Sequence, residues 1–243
     1  MDEISLLEHE CAEAWPAQVD RPLGGWRMRA AGGFTGRANS TLTTGDPGLA
    51  VTSALARTVD FAAENGIQPS AHVVVGSPVE GEIAGAGWAV NRDHPGGAES
   101  LVLTGPLDPG DHPDAAVLAT PSAGWWELAA GSATPSPAQR HVLSSLPGVG
   151  YGVVEEDGVV VGAVRGAVVG DLLHVSRLAV RPSHRRSGMA TGLLRTLYAW
   201  AAQRGARRQA LQVAEHNNSA IRLYVGLGCV EHHRYRYWKP VSG

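Results

Sequence analysis

Arg185, Arg186, Ser187 and Gly188 are the residues of this sequence best suited to hold a phosphate group. Guanidinium groups make charge-assisted hydrogen bonds to phosphate oxygens, and glycine lets a ligand approach bare backbone. Beyond them Ala190, Leu193, Leu194, Leu197 and Ala201 fall at i, i+3, i+4, i+7 and i+11, one face of an amphipathic helix. The first N–H groups of a helix have no partner inside it and the helix dipole makes that end partly positive, so a pyrophosphate fits a basic loop at this place. Ahead of the loop, Ser176-Arg177-Leu178-Ala179-Val180 is a short apolar run that stops at Arg181-Pro182, because a residue before proline is pushed out of the helical region. The elements that position the chemistry are therefore a strand, a basic loop and a helix start.

Gly205 stops that helix after Arg204 as a C′ glycine does, and Gln209-Ala210-Leu211-Gln212-Val213 reads as the next strand. Asn217 or Asn218 then caps a short helix whose Ala220, Leu223, Tyr224 and Leu227 share a face, and Gly228 ends it. The spacing Arg185-x-x-Gly188-x-Ala190 resembles the acyl-CoA pyrophosphate loop of the GNAT superfamily of acyl-CoA-dependent N-acyltransferases. The series Leu211-x-Val213-x3-Asn217-x2-Ala220-x2-Leu223-Tyr224-x3-Gly228-Cys229 resembles the second GNAT signature, with Cys229 where an aromatic residue is more usual. The two motifs stand in the family's order, about thirty residues apart as the interposed helix and strand require. They cover only the C-terminal part of the chain.

The resemblance implies an α/β (α+β) GNAT fold, a mixed and mostly antiparallel sheet with flanking helices, and acetyl-CoA as co-substrate. It implies that backbone groups of Leu178, Ala179 and Val180 bind the pantetheine arm, and that Arg185, Arg186, Ser187, Gly188, Met189 and Ala190 cradle the pyrophosphate. Tyr224 is the implied general acid; it also belongs to the apolar face of its helix. Asn217 matches a position that contacts the pantetheine arm, or it only caps the helix. The base is open among Glu155 and Glu156 beside a hairpin turn, Glu215 after the strand next to the cofactor, His174, His216 and a water relay. Arg37, Asn39 and Arg177 are candidates for acceptor binding, each equally explicable as a surface residue. Two functions follow: an N-acetyltransferase acting on a primary amine of a small molecule, peptide or protein, or an acyl-CoA-binding module that senses or scaffolds without turnover.

The 243 residues, 44% of them hydrophobic, suffice for one large or two ordinary domains. There is no long apolar run and no basic-then-apolar N-terminus, so neither a membrane partner nor a secretory signal is expected. Cys11 and Cys229 suggest neither a disulfide framework nor a metal site, which makes the cytoplasm the expected compartment. The net charge of −3 is uneven, because residues 181–243 hold 11 Lys+Arg against 2 Asp+Glu. These cations are scattered, with no dense run carrying interleaved aromatics, so an anionic cofactor is expected and a nucleic-acid partner is not.

In the first half, helices are expected at 4–15, 49–65 and 78–84, with strands at 24–30, 37–43, 72–75, 87–90 and 100–104. This order partly repeats that of the C-terminal half, without any counterpart of the 185–190 loop. Residues 1–105 therefore read as a degenerate GNAT-like domain, the fold then being duplicated, or as an unrelated α/β domain. The Pro-, Gly-, Asp- and Ser-rich stretch 106–136 reads as a linker that its own Trp125-Trp126 pack onto a domain, and 137–243 as the catalytic domain. Within the latter, a helix at 137–146 precedes strands at 151–155 and 159–168, joined by the hairpin signal Asp157-Gly158, and a third at 172–180.

Overall fold

The computed structural model of the protein describes residues 2–110 and 112–241. In chain order the first elements are α1 (Glu3–Ala14), β1 (Val19–Leu23), β2 (Trp26–Ala30), β3 (Thr41–Leu42), α2 (Val51–Glu64), β4 (Ala71–Val74), α3 (Pro78–Gly85), β5 (Trp88–Val90) and β6 (Glu99–Pro106). There follow β7 (Ala115–Leu118), α4 (Ala123–Ala130), α5 (Pro137–Ser144), β8 (Val149–Glu156), β9 (Val159–Val169), β10 (Leu172–Val180), α6 (Met189–Ala202), β11 (Arg208–Ala214), α7 (Asn218–Gly226) and β12 (Val230–Pro240). They form two compact units. The first takes in the chain up to Val102, Gln212–Asn218 and the chain from Glu231 on; the second takes in Leu103–Leu211 and Ser219–Val230. The last strand, expected with the C-terminal domain, thus groups with the first unit.

In the second unit β7, β8, β9 and β10 form an antiparallel meander, and α6 crosses over to β11, which lies parallel to β10. The apolar face read from the sequence is the one buried: Leu193, Leu194, Leu197 and Ala201 are fully buried, while Ala190 at the helix start is half-buried. Close approach of α6 to the sheet depends on glycine. A Cβ at Gly166 would sit 2.9 Å from Leu173 Cδ1 and 3.0 Å from Leu197.

The stretch 106–136 is not a bare linker. β7 pairs with β8 from Ala115↔Val154 to Leu118↔Tyr151. Trp125 of α4 is fully buried, donates its indole N–H to the Val164 carbonyl at 3.1 Å and meets Trp126 and Tyr151 edge-on. The Ser and Gly that resemble linker composition are helix caps here. Ser122 accepts the Trp125 N–H, and Gly131 ends α4 in the left-handed region with φ 80°. An eight-residue helix is too short to display a clear apolar period.

In the first unit the strands run β1-β2-β3-β4-β12, and both β6 and the short β5 pair with β12 beyond it; the pairs among β1, β2, β3, β4, β12 and β5 are antiparallel except for the parallel pair β3 and β4, which α2 connects. β12 enters as an interior strand, with Tyr235↔Val74 on one side and Trp238↔Val90 on the other. Trp26, Leu55, Val73, Ile83, Trp88 and Trp238 pack one core, and Met28, Ala30 and Phe61 another. The strand expected at 37–43 is a 3-10 turn at Gly36–Ala38 followed by the two residues of β3. Both units share one progression: antiparallel strands, a helical crossover, then a parallel strand.

Candidate functional site

α6 begins at Gly188, whose φ of 85° is the left-handed conformation that lets the chain turn from loop into helix with no side chain in the way. Nothing lies within 4 Å of where its Cβ would stand. The first bond of the helix runs from the Gly192 N–H to the Gly188 carbonyl at 3.0 Å, so the N–H groups of Met189, Ala190 and Thr191 precede any intrahelical acceptor. No side chain caps this end and its first turn carries no acidic residue. Arg185, Arg186 and Ser187 are exposed, and Arg186 also has a positive φ of 65°. Among the described residues, neither arginine is paired with a carboxylate in an ion pair. Arg185 Nε donates to the Val180 carbonyl at 3.1 Å, and Ser187 Oγ donates to the His184 carbonyl at 2.8 Å, which fixes the loop to the strand before it. Met189 alone of these residues is buried. The chemistry of this donor set, backbone N–H groups and guanidinia without competing carboxylates, suits a pyrophosphate.

β10 is the strand that leads into the loop, and it is bent. Its ladder with β9 goes from Ser176↔Arg165 to Ala179↔Ala163, so two residues of β10 oppose one of β9. Arg177 occupies the bulge with φ 56°, a conformation costly for a residue bearing a Cβ. On the other edge the parallel pairing with β11 covers only Leu172↔Arg208 to His174↔Ala210, although β10 continues to Val180. The Arg181 N–H still reaches β9, at the Val161 carbonyl, 2.8 Å. By the alternation of a strand, the N–H groups of Leu178 and Val180 then face the edge that β11 has left. Ser176 Oγ, buried beside the bulge, has no hydrogen-bond partner. Leu178, Ala179 and Val180 are half-buried, accessible from that open edge.

Tyr224 lies on the buried face of α7, with 5% of its surface exposed. Burial raises its hydroxyl pKa well above the ordinary tyrosine value, and nearby Tyr198 and Cys229 add to the effect. Cys229 is itself pushed up to about 11 by burial. The Leu227 and Cys229 N–H groups both donate to the Tyr224 carbonyl at 3.0 Å, so Gly228 and Cys229 close α7 against the tyrosine.

The other candidates separate. Asn217 is exposed and groups with the first unit, as do Glu215 and His216, whereas Tyr224, the bulge and the loop belong to the second. His174 is fully buried inside β10. Glu155 and Glu156 are exposed at the β8–β9 turn, where Glu156 contacts His184 at 3.1 Å. Asn39 is not a surface residue. Its side chain accepts from the Ala31 and Gly33 N–H groups and donates to the Phe34 and Thr35 carbonyls, so it organises the turn before β3 and has no capacity left for a ligand. Arg37 donates to Gln212 at 2.6 Å and stacks over Trp15 at 4.2 Å. Sequence reading missed the bulge, because an arginine in the left-handed region carries no local signal.

The crossover of the first unit has a different loop. Between β3 and α2 it contains Asp46 and no basic residue. The Asp46 carbonyl accepts the Gly25 N–H at 2.6 Å, and a Cβ at Gly24 would stand 2.3 Å from the Pro47 carbonyl carbon, so the turn between β1 and β2 fills this loop.

A family model described as "Probable histone acetyltransferase Rv0428c C-terminal" matches residues 2–238. The Bacillus subtilis (strain 168) protein described as the uncharacterized N-acetyltransferase YobR is 25% identical over 248 residues, which are 97% of this chain and 99% of that one. Among solved structures, a GCN5-related N-acetyltransferase from Kribbella flavida superposes with a TM-score of 0.70 at 16% identity, covering 100% of this chain and 97% of the other. A tandem GNAT protein from the clavulanic acid biosynthesis pathway superposes at 0.56 with 17% identity, over 82% of this chain and 74% of that one. At such identities these two likenesses speak to the fold, which is GNAT. With its model spanning nearly every residue, the chain belongs to the Rv0428c C-terminal acetyltransferase family and so to the GNAT superfamily of acyl-CoA-dependent N-acetyltransferases.

Proposed function

We propose that the second unit transfers an acetyl group from acetyl-CoA directly to a primary amine of a small molecule, peptide or protein. One observation carries the reading: a bulged strand with a free edge leads straight into a helix N-terminus whose first turn holds no acidic residue. The pyrophosphate would rest on the N–H groups of Met189, Ala190 and Thr191, with Arg185 and Arg186 adding charge, and the pantetheine arm would take the place that β11 vacates beside Leu178, Ala179 and Val180. The N–H groups on that edge are donors for the thioester oxygen as negative charge develops there. The amine nitrogen attacks the carbonyl carbon, the C–S bond breaks, the departing thiolate takes the Tyr224 proton, and the proton that the nitrogen loses passes through water back to the phenolate. Burial keeps the phenol protonated at rest but also opposes its ionisation, so in this reading the proton passes to the thiolate only while the ammonium charge of the attacking amine develops beside it.

The first unit, in this reading, is a GNAT-like fold that no longer binds acyl-CoA. Its support is the shared crossover together with a loop that is filled and holds Asp46. The compartment in this reading is the cytoplasm; Cys11 and Cys229 are both buried, and among the described residues no helix is long and apolar enough to cross a membrane. The test is thiol release from acetyl-CoA across a panel of small amines and lysine-bearing peptides. Acceptor-dependent release that Gly188→Asp abolishes supports the proposal. Tight acetyl-CoA binding with no release for any acceptor would instead mark a sensor.

A further inference from the structure

The second unit contains a cleft of about 640 Å³, within the usual range for a small-molecule site, that the acyl-transfer reading does not use. It lies at the far end of α6. Trp200 and Arg204 line it, and Trp200 stands eleven residues past Met189, roughly 16 Å along the helix axis.

Three aromatic side chains, Trp126, Tyr151 and Trp200, wall the cleft, and two of them are fixed by contacts elsewhere. The Tyr151 hydroxyl donates to the Leu143 carbonyl at 3.0 Å, and Trp126 stands edge-on to the buried Trp125. Trp200 is held against the backbone of β8, where a Cβ at Gly150 would come within 2.8 Å of its ring. Such walls bind without much loss of side-chain freedom. The charged lining residues are Arg140 and Arg204, with no aspartate or glutamate among them. Both are exposed, and neither is in an ion pair with a carboxylate among the described residues. Arg204 stacks over the Trp200 ring at 4.4 Å and spends one N–H on the Trp200 carbonyl at 3.0 Å, which offsets the negative end of α6 and leaves further N–H groups of its guanidinium.

We propose that this cleft binds a small planar aromatic anion, its ring against the half-buried Trp200 and the exposed margins of the nearly buried Trp126 and Tyr151, and its carboxylate or phosphate between Arg140 and Arg204. Rings find both stacking and edge contacts on such walls, and a guanidinium pair recognises either anion by charge-assisted hydrogen bonds. The cleft is thus a second ligand site, distinct from the pyrophosphate loop.

Calorimetry on the full chain tests this with three probes: naphthalene-1-carboxylate, the neutral 1-naphthalenemethanol, and AMP as the phosphate-bearing arm. Saturable binding of the carboxylate or of AMP is expected, with the neutral ring about tenfold weaker or worse. Combined Arg140→Ala and Arg204→Ala substitution should weaken the anion by about tenfold or more, while Gly188→Asp leaves it unchanged. The last arm separates this site from the pyrophosphate loop, so the proposal can stand if the acyl-CoA assignment fails. Both arginines are exposed, and an unchanged melting temperature verifies that the double variant is folded. No saturation by either anion, equal affinity for the neutral ring, indifference to the arginines, or AMP binding lost only with Gly188→Asp would each overturn it.

Discussion

Arg185 donates its Nε–H to the carbonyl oxygen of Val180 at 3.1 Å, so the first arginine of the loop is tied to the last residue of the bulged strand. Loop and strand form one piece, and a ligand held by the loop is set in register with the strand edge.

That coupling makes Gly188 a sensitive position. Gly188→Asp puts a carboxylate where an anion would lie and forces a residue with a Cβ into φ 85°. Acetyl-CoA affinity should fall by more than tenfold, whereas Gly188→Ala carries only the backbone cost of ~1–2 kcal/mol. Calorimetry on folded variants checks the order; equal affinities for wild type and Gly188→Asp would remove the loop from the site.

Tyr224→Phe keeps the ring and most of its packing. If the phenol protonates the thiolate, turnover should drop ~10²–10⁴-fold while acetyl-CoA affinity and melting temperature stay near wild type. Near-normal turnover would return the residue to the apolar face of α7.

Stability should depend on acid through Glu8. Its carboxylate is buried in the first unit, 2.7 Å from His233 Nε2 and 3.2 Å from His72 Nε2. Burial alone would raise its pKa, yet the charge of His72 and the hydrogen bond from His233 outweigh it and hold the group well below 4.5. A carboxylate depressed in the folded state stabilises fully above its unfolded pKa of about 4.3, and that contribution drains away as pH falls from there toward the folded value. Urea titrations should show wild-type stability sinking below about pH 4.3 with a shallower slope in Glu8→Gln. At pH 7 the same variant should lose ~1–3 kcal/mol.

Gly166→Val asks whether α6 really sits on bare backbone. The new side chain would collide with Leu173 and Leu197, both fully buried. Overpacking of this kind costs ~1–3 kcal/mol. A denaturant midpoint equal to wild type would mean that the helix has room to shift.

What the sequence disclosed followed local rules. The face of α6 from Leu193 to Ala201, its glycine start and the Asp157-Gly158 turn were legible because period, capping and turn chemistry act within a few residues. β7 and α4 were not, since Ser122 and Gly131 are caps that look like linker composition. The bulge at Arg177 was invisible for another reason: its left-handed backbone is imposed by the strands around it. Asn39 was misjudged because its four hydrogen bonds are made to residues that only the folded turn brings near.

The interior strand of the first unit, β12, comes from residues 230–240, far along the chain from the strands it joins. A ribosome delivers β4 and β5 long before the strand that must lie between them. The second unit, most of it contiguous from Leu103 to Leu211, is synthesised in that interval. The first unit therefore cannot finish folding until residues 230–240 have been made. A chain cut just before Val230, whether by premature termination or by proteolysis, would lose the interior strand of the first unit and keep the residues of the loop and of the bulged strand in the second.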